Sequence, residues 1–199
     1  MKVTRAQADA NHRKIINVAG SLFRKRGYDG VGLSDLMKGA GLTQGGFYKK
    51  FSSKEDLIIQ ATVKAFENSK TKWRDVAMKA VQKPLNAIVG FYLSDEHRQQ
   101  TAQGCTFAAL GSDTTRRSPE LRAVFETAIE EHLDILETVM PAGETENTRD
   151  KSIVALSTMV GALILARSIK DEQAASHFLQ VAADSVLKQA AGALSDKKV

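Results

Sequence analysis

Apolar residues recur at helical spacing along the chain, and from residue 83 onward no strand-like alternation appears. The first stretch runs to about Arg26 and starts behind Asp9 or Asn11, either of which is a suitable N-terminal cap. Its apolar stripe consists of Ile15, Ile16, Ala19, Leu22 and Phe23. Gly27 follows three basic residues and is a natural helix terminator. The pattern predicts a first helix with one buried face.

Residues 33–40 carry the pattern of a second, shorter helix that ends in a sharp turn. Ser34 is a candidate N-terminal cap, and Gly41 can supply the positive φ that terminates the helix. Leu42 then fills the gap before the next element. The pattern therefore predicts the first half of a helix-turn-helix.

The segment after this turn, residues 43–50, is predicted to be the recognition helix of the motif. Thr43 is a candidate cap, and Phe47 and Phe51 lie four positions apart, which places both on one buried face. The side chains left pointing outward belong to Gln44, Tyr48, Lys49 and Lys50. The two positions that disfavour a helix, each by about 1 kcal/mol relative to alanine, are Gly45 and Gly46.

Helical spacing continues through the remainder of the chain. Residues 53–56 resemble a capping box and open a long helix with apolar residues as far as Trp73. Further helices are predicted near residues 84–94, 103–112, 118–139, 149–170 and 173–191. The last two are apolar around much of their circumference and need cover on two sides. Residues 150–191 are therefore predicted to form a homodimer interface, with a monomer that buries both helices as the alternative.

Charge is distributed unevenly along the 199 residues. Residues 1–75 contain 15 Lys and Arg against 7 Asp and Glu, whereas residues 76–199 contain 13 against 16. The positive charge of the first part attracts DNA phosphates, whereas the net negative charge of the remainder does not. The asymmetry therefore places nucleic-acid binding in the first part of the chain.

The remaining composition indicates a cytoplasmic globular protein. Hydrophobic residues make up 43% and charged residues 26% of the chain, which is ordinary for a soluble fold. No apolar run approaches the roughly 18 residues of a membrane span, and the first residues lack the apolar centre of a signal peptide. A single cysteine cannot form an internal disulfide, which agrees with a reducing compartment.

Four short pieces of the first part stand at a characteristic spacing: GY at 27–28, AGL at 40–42, FYKKF at 47–51 and SKEDL at 53–57. With them, the run from Ile15 to Leu57 resembles the N-terminal domain of TetR/AcrR-family transcriptional repressors. The resemblance implies an all-α fold with two domains. Residues 1–52 would form a three-helix helix-turn-helix domain, and residues 53–199 a linker helix with a ligand-binding and dimerisation domain.

The same resemblance implies a sequence-specific DNA-binding regulator, expected to be a repressor that a small hydrophobic or electrophilic effector releases from a palindromic operator. Its partners would be double-stranded operator DNA, the effector and a second copy of the chain. Two alternatives from other classes stay open. One is a ligand-independent helix-turn-helix activator or architectural DNA binder, and the other is a helical protein-interaction module that has lost DNA binding.

Carrying the family's contacts over position by position gives the expected DNA-binding residues. Gln44 is the candidate for a base edge, because an amide can pair bidentately with adenine, and Lys49 is the candidate for guanine or phosphate. A close backbone approach to DNA is expected at Gly45, whereas Gly46 lacks the small polar side chain usual in the family. The expected phosphate contacts are Ser34, Thr43, Tyr48, Lys50 and Lys54. For Ser34 and Thr43, helix capping alone is the alternative.

The small-molecule site is expected among the middle helices. Its predicted neighbourhood is Phe91, Cys105, Phe107, Leu110, Phe125, Leu133, Met159, Leu163 and Arg167. Cys105 is either a small buried hydrophobe or a sensor whose thiolate is favoured at a helix N-terminus or beside a cation such as Arg167. The pair Gly104–Cys105 and the later Arg167 resemble a branch of the family that includes electrophile-sensing repressors.

Enzymatic chemistry finds no support in the sequence. The histidines at positions 12, 97, 132 and 177 lack metal-ligand spacing, and there is no phosphate loop, nucleophile elbow or second cysteine. We therefore expect no catalytic residue, no metal and no cofactor.

Overall fold

A computed structural model describes residues 4–141 and 148–192, and within these ranges every regular element is helical. The α-helices are α1 Arg5–Arg26, α2 Leu33–Gly39, α3 Lys54–Lys79, α4 Pro84–Tyr92, α5 Asp95–Gln99, α6 Thr106–Thr114, α7 Pro119–Val139, α8 Thr148–Ser168 and α9 Glu172–Ala190. A single turn of 3-10 helix covers Gln44–Gly46. The predicted all-α fold class is thereby confirmed.

Helix boundaries follow from caps, and here some predictions are wrong. α1 begins behind Thr4, whose hydroxyl accepts a hydrogen bond from the Gln7 amide at 3.2 Å, so Asp9 and Asn11 lie inside the helix. The helix extends back to the cap at Thr4 because no residue between Thr4 and the apolar stripe breaks the helix. The helix predicted at 84–94 ends at Tyr92, and α5 follows because the Ser94 hydroxyl caps it.

The chain divides into two compact units, and the first consists of Met1–Asn68, of which residues 1–3 lie outside the described ranges, together with Thr101–Glu126. Its core combines residues of the helix-turn-helix region with residues from the later segment. The largest buried side chains of the helix-turn-helix region are Ile15, Phe23, Tyr28, Leu36, Met37, Phe47, Phe51, Leu57 and Ile58. From the later segment, Leu110, Leu121 and Phe125 are buried in the same unit. The functional boundary predicted between residues 52 and 53 stays a prediction.

Tyr28 connects the two parts of the first unit. Its hydroxyl lies 3.0 Å from the Thr62 hydroxyl, and the guanidinium of Arg117 lies 5.5 Å from the centre of its ring. Arg117 also pairs with Asp29 and with Glu55, the latter at 3.5 Å. Burial raises the pKa of Tyr28 above its ordinary value, so the phenol stays protonated. The turn after α6 is thereby fastened to the turn after α1 and to the start of α3.

The second unit consists of Ser69–Gln100 with Thr127–Val199, of which residues 142–147 and 193–199 lie outside the described ranges. Its interior contains Trp73, Tyr92 and His132, with the Trp73 and His132 rings 4.9 Å apart. Arg167 donates to the carbonyl oxygens of His97 and Arg98, at the C-terminal end of α5, where a cation is favoured by the helix dipole.

Helix α8 is apolar on more than its buried side. Large hydrophobic side chains that α8 and α9 leave exposed are Ile153, Val154, Ile164, Leu165, Phe178 and Val181. By length and composition α8 could cross a membrane, so the expectation that no run approaches this length is wrong. One such helix is weak evidence for a membrane protein, because a core helix passes the same test.

His132 makes the stability of the second unit depend on pH. Its Nδ1 lies 2.7 Å from the Ala128 carbonyl oxygen and its Nε2 lies 3.0 Å from the Ser69 hydroxyl. Burial lowers its pKa from 6.5 to about 4. Between these two pH values the imidazole is protonated in the unfolded chain and neutral in the folded chain. The contribution of neutral His132 to the free energy of unfolding is therefore fully present above pH 6.5. It falls as the pH drops toward 4, by up to roughly 1.4 kcal/mol per pH unit.

We expect His132→Gln to flatten this dependence, and the same change at exposed His177 is the matched control. Urea denaturation at pH 7.5 and at two lower pH values measures it. An unchanged pH slope in His132→Gln would contradict the assignment.

Candidate nucleic-acid interface

The turn between α2 and the next element is fixed by backbone hydrogen bonds around Gly41. The Leu42 amide donates to the Met37 carbonyl and the Gly41 amide to the Lys38 carbonyl, each at 2.9 Å. This is the Schellman arrangement, which requires a left-handed residue, and Gly41 has a φ of 67°. The predicted role of Gly41 as helix terminator is confirmed.

Ser34 is not the cap of α2. Gly32 occupies the N-cap position with an extended backbone, and Ser34 lies exposed in the first turn of the helix. The helix starts there because the side chain of Val31 is completely buried, which fixes the chain immediately before Gly32. An exposed first-turn hydroxyl remains compatible with the predicted phosphate contact.

The predicted recognition helix over residues 43–50 is not an α-helix in the structure. Gln44–Gly46 form a 3-10 turn, with the Gly46 amide donating to the Thr43 carbonyl at 3.1 Å, and a further turn leads to Phe51. Thr43 occupies the N-cap position, but its side chain makes no capping hydrogen bond. Two adjacent glycines explain the departure, because they add helix-propensity cost and no packing side chain. We call residues 43–51 the recognition segment.

Two phenylalanines anchor the recognition segment, as predicted. Phe47 is completely buried and Phe51 nearly so, with their ring centres 5.4 Å apart. Phe51 also stacks on His12 of α1 at 4.7 Å. The helical spacing of these two rings is retained locally, since the Phe51 amide donates to the Phe47 carbonyl at 3.1 Å. The buried side of the segment is therefore the predicted one.

The opposite side of the segment presents polar groups to solvent. Exposed residues are Thr43, Gln44, Gly45, Tyr48 and Lys49, and the side chain of Tyr48 is 69% exposed. Gly46 is half-buried, and a Cβ there would lie 3.8 Å from the Met37 side chain. A phenol, an amide and an ammonium are thus available on one short, anchored stretch, which is the set of donors and acceptors that DNA contacts use.

Two predicted contact residues, Lys50 and Lys54, are half-buried rather than exposed. The ammonium of Lys50 donates to the Ala8 carbonyl of α1 at 2.6 Å. Lys54 is the first residue of α3, where it follows the recognition segment directly. The structure therefore leaves Lys49 as the exposed cation of the segment and engages Lys50 within the protein.

A polar network secures the start of α3. The Ser53 hydroxyl accepts from the Asp56 amide at 3.0 Å, as in the predicted capping box, but the Asp56 carboxylate reaches back to the amide of Ser52. Gln60 donates to Asp56 at 2.7 Å and lies 3.0 Å from His12. These hydrogen bonds, with that of Gln60 first, lower the pKa of Asp56 below its ordinary value and keep it ionised.

The predicted ligand neighbourhood is divided between the two units. In the first unit, Phe107 and Phe125 contact Phe66, with ring centres 4.6 and 5.0 Å from it, and Leu110 is buried. Phe66 was not predicted, although it continues the apolar spacing of α3. Residues of the neighbourhood that belong to the second unit are Phe91, Leu133, Met159, Leu163 and Arg167.

Cys105 lies at the N-terminus of α6, one of its two predicted settings. Its sulfur accepts a hydrogen bond from the Ala108 amide at 3.4 Å, and the residue is 7% exposed. Arg24, which donates to the Ala102 carbonyl at 2.8 Å, interacts electrostatically with Cys105. Burial lowers the pKa of Arg24. Arg167 donates to carbonyl oxygens at the end of α5. His97, which belongs to α5 and stacks on Phe91, was missed by sequence reasoning.

Comparison with models of protein families identifies the family of this chain. The model of the bacterial regulatory proteins of the tetR family matches residues 15–61, and that of the LmrA/YxaF-like transcriptional regulator C-terminal domain matches residues 77–184. The chain belongs to the TetR family. It is accordingly a DNA-binding transcriptional regulator, and the predicted repressor function is confirmed at the level of the family.

Individual regulators are also similar to this chain in sequence. The transcriptional regulator LmrA of Bacillus subtilis is 29% identical over 158 residues, which cover 77% of this chain and 82% of LmrA. The transcriptional repressor KstR2 of Mycobacterium tuberculosis is 23% identical over 88 residues, 44% of each chain.

Solved structures share the fold. A TetR regulator from Chloroflexus aurantiacus has a TM-score of 0.77 at 21% identity, covering 92% of this chain and 97% of its own. Reduced NemR of Escherichia coli has a TM-score of 0.75 at 18% identity, covering 89% and 95%.

The glycines of this TetR-family interface should respond in opposite ways to alanine. Gly41→Ala forces a side chain into the left-handed region and is expected to cost roughly 1–2 kcal/mol of unfolding free energy. Gly46→Ala meets only ordinary contact with Met37 and should stabilise the fold by up to about 1 kcal/mol. Urea denaturation of both variants measures this, and equal destabilisation would contradict the described backbone.

Proposed function

We propose that the chain is a cytoplasmic homodimeric repressor that places the recognition segment of each subunit in the major groove of half a palindromic operator. A small hydrophobic effector favours a form of the dimer that no longer fits the operator. The observation that supports DNA reading is the exposed set Gln44, Tyr48 and Lys49 beside the buried anchors Phe47 and Phe51. A rigid anchor beneath exposed donors and acceptors is what base reading requires.

Within this proposal the residues have distinct roles. Gln44 reads a base edge, and Gly45, beside which a Cβ would meet nothing within 4 Å, allows the backbone to approach DNA. Gly46 contributes backbone only, so no base is read there by a side chain. The remaining contacts, to phosphate or to a guanine edge, are assigned to Ser34, Thr43, Tyr48, Lys49 and Lys54, whereas the ammonium of Lys50 is engaged with the Ala8 carbonyl.

The proposed dimer is formed by α8 and α9. These two helices pack along each other, yet each leaves large apolar side chains in solvent, among them Leu165 and Val181, both more than half exposed. Exposed apolar surface of this extent favours a protein partner. A second copy with twofold symmetry would cover both stripes and present two recognition segments to successive half-sites.

The proposed effector is hydrophobic rather than strictly electrophilic. The three phenylalanines at positions 66, 107 and 125 offer an aromatic environment in the first unit, next to α6. Cys105 uses its sulfur as a helix cap and is almost completely buried, which supports a structural role. Release by thiol-reactive compounds that is lost in Cys105→Ser would reverse this preference and establish a sensor.

Coupling between effector and DNA is proposed to pass through Arg117. This side chain lies in the turn between α6 and α7 and contacts Tyr28, Asp29 and Glu55, all within the family's DNA-binding region. A ligand that shifts α6 would change these contacts. Such a ligand acts only by binding the two forms with different affinity.

A ligand-independent activator or architectural DNA binder is the alternative function. It would bind DNA without release by any compound, and an architectural protein would show little preference for one sequence. Release of a selected operator by an added aromatic compound distinguishes the proposed repressor from both.

Gln44→Ala and Lys54→Ala should weaken DNA binding in different ways. The first removes a base contact and should lower affinity for the selected operator by about tenfold while leaving random DNA little changed. The second removes a phosphate contact and should weaken binding to all sequences alike. Fluorescence anisotropy with both duplexes measures the ratio, and equal losses in Gln44→Ala would sink its assignment.

The dimer is tested by neighbouring positions on α9. Val181→Glu places a charge on the exposed apolar stripe and should dissociate the dimer, with a loss of operator affinity of at least about tenfold. Gln180→Glu adds the same charge on the adjacent polar face and serves as the control. Sedimentation velocity reports the oligomeric state. A Val181→Glu protein that remains dimeric would contradict the proposed interface.

A further inference from the structure

The last two residues of the recognition segment and the residue after it are held by α1 and α3. The Lys50 ammonium donates to the Ala8 carbonyl at 2.6 Å, and the Phe51 ring stacks on His12, one helical turn further along α1. The amide and hydroxyl of Ser52 both donate to the Asp56 carboxylate, at 2.9 and 3.0 Å. The exit of the segment is thus fastened to α1 and to α3.

A hydrogen bond between α1 and α3 completes this network. Gln60 of α3 donates to the same Asp56 carboxylate at 2.7 Å and lies 3.0 Å from the Nε2 atom of His12. His12 therefore has contacts with both Phe51 and α3. Within this ring of contacts, the bond from Lys50 to Ala8 is the one that reaches the first turns of α1.

The entrance of the segment is held by the backbone turn around Gly41, in which the Leu42 amide donates to the Met37 carbonyl. Thr43 makes no side-chain capping bond, and a Cβ at Gly45 would meet nothing within 4 Å. The 3-10 turn at Gln44–Gly46 is followed by residues that are bonded to α1 and α3 through side chains. Gln44 and Tyr48 therefore lie between a backbone turn and an exit that is held by side chains, so a change at the exit alters how these two residues are oriented.

We propose that Lys50 is a positioning residue for DNA recognition: its bond to the Ala8 carbonyl holds the exit of the recognition segment, and so sets how Gln44 and Tyr48 face the groove. A charge-assisted bond to a carbonyl is stronger than a neutral one, and at a half-buried site it competes well with water. Lys50 then acts through the segment rather than by neutralising a phosphate. This inference rests on the proposed assignment of the segment as the DNA-reading element.

Lys49 provides a matched control, because it is the adjacent lysine and is exposed. Changing either residue to glutamine removes one positive charge from the same segment. Only Lys50→Gln removes the bond to Ala8, since the shorter, neutral amide cannot reproduce the reach and charge of the ammonium.

The first measurement uses the free protein and does not depend on any operator. Hydrogen exchange of the amides in residues 43–52 is compared among wild type, Lys49→Gln and Lys50→Gln. We expect exchange to accelerate about tenfold in Lys50→Gln, since a lost charge-assisted bond permits local opening, and to stay unchanged in Lys49→Gln. Unchanged exchange in Lys50→Gln would overturn the proposed fastening even if DNA binding were never detected.

The second measurement separates positioning from phosphate contact. Each protein is titrated with the duplex that the wild type selects from a random pool and with a shuffled duplex, from about 50 to about 200 mM salt. Lys49→Gln should weaken both duplexes and reduce the slope of log K against log salt by about 0.9. Lys50→Gln should keep the wild-type slope and lower affinity for the selected duplex about tenfold, with the shuffled duplex little affected.

Three results of this titration, taken with the melting temperature of each variant, would overturn the inference. A slope reduced as in Lys49→Gln would make Lys50 a phosphate contact. A lower melting temperature with an unchanged ratio between the two duplexes would make its role one of stability alone. A wild-type ratio at a wild-type melting temperature would show that the bond to Ala8 has no effect on recognition. Failure of the wild type to select any duplex would instead count against the proposed function, and the exchange measurement would still decide the fastening.

Discussion

The packing of α6 and the turn after it against α1 and the start of α3 is the constraint on which the DNA-binding region depends. Tyr28 is completely buried between Thr62 and Arg117, and Arg117 in turn pairs with Asp29 and Glu55. Without the segment Thr101–Glu126, the helix-turn-helix would expose part of its own core. The helix-turn-helix region and part of the segment that matches the family's C-terminal domain therefore share one hydrophobic interior, so a change in the packing of one affects the other.

Local chemistry made much of the fold predictable. Gly41 ends α2 because a left-handed residue is required there, and Phe47 and Phe51 are buried because four-residue spacing places them on one face. The structure differs where competing local preferences had to be weighed. An α-helix over 43–50 was expected from spacing alone, but with Gly45 and Gly46 in its first turn the segment adopts a 3-10 turn instead.

The exposed part of the candidate site was also predictable, since Gln44, Tyr48 and Lys49 point outward as their spacing indicates. Contacts between distant positions were not. The bond from Lys50 to Ala8 joins residues 42 positions apart, and no local pattern specifies it. The ligand neighbourhood shows the same limit, because apolar spacing identifies core residues without saying which of them meet. Phe66 joins Phe107 and Phe125 through the three-dimensional packing of α3 with α6 and α7.

The shared interior of the first unit can be tested directly by hydrogen exchange with and without the selected operator duplex. DNA stabilises the folded form to which it binds, and this protection extends to every amide that opens together with the helix-turn-helix region. If the interior is shared, amides in α6 and in the following turn, residues 106–118, should gain protection together with those of α1. Protection confined to residues 15–61, with no change in α6, would show that the two parts open independently and would contradict the shared interior.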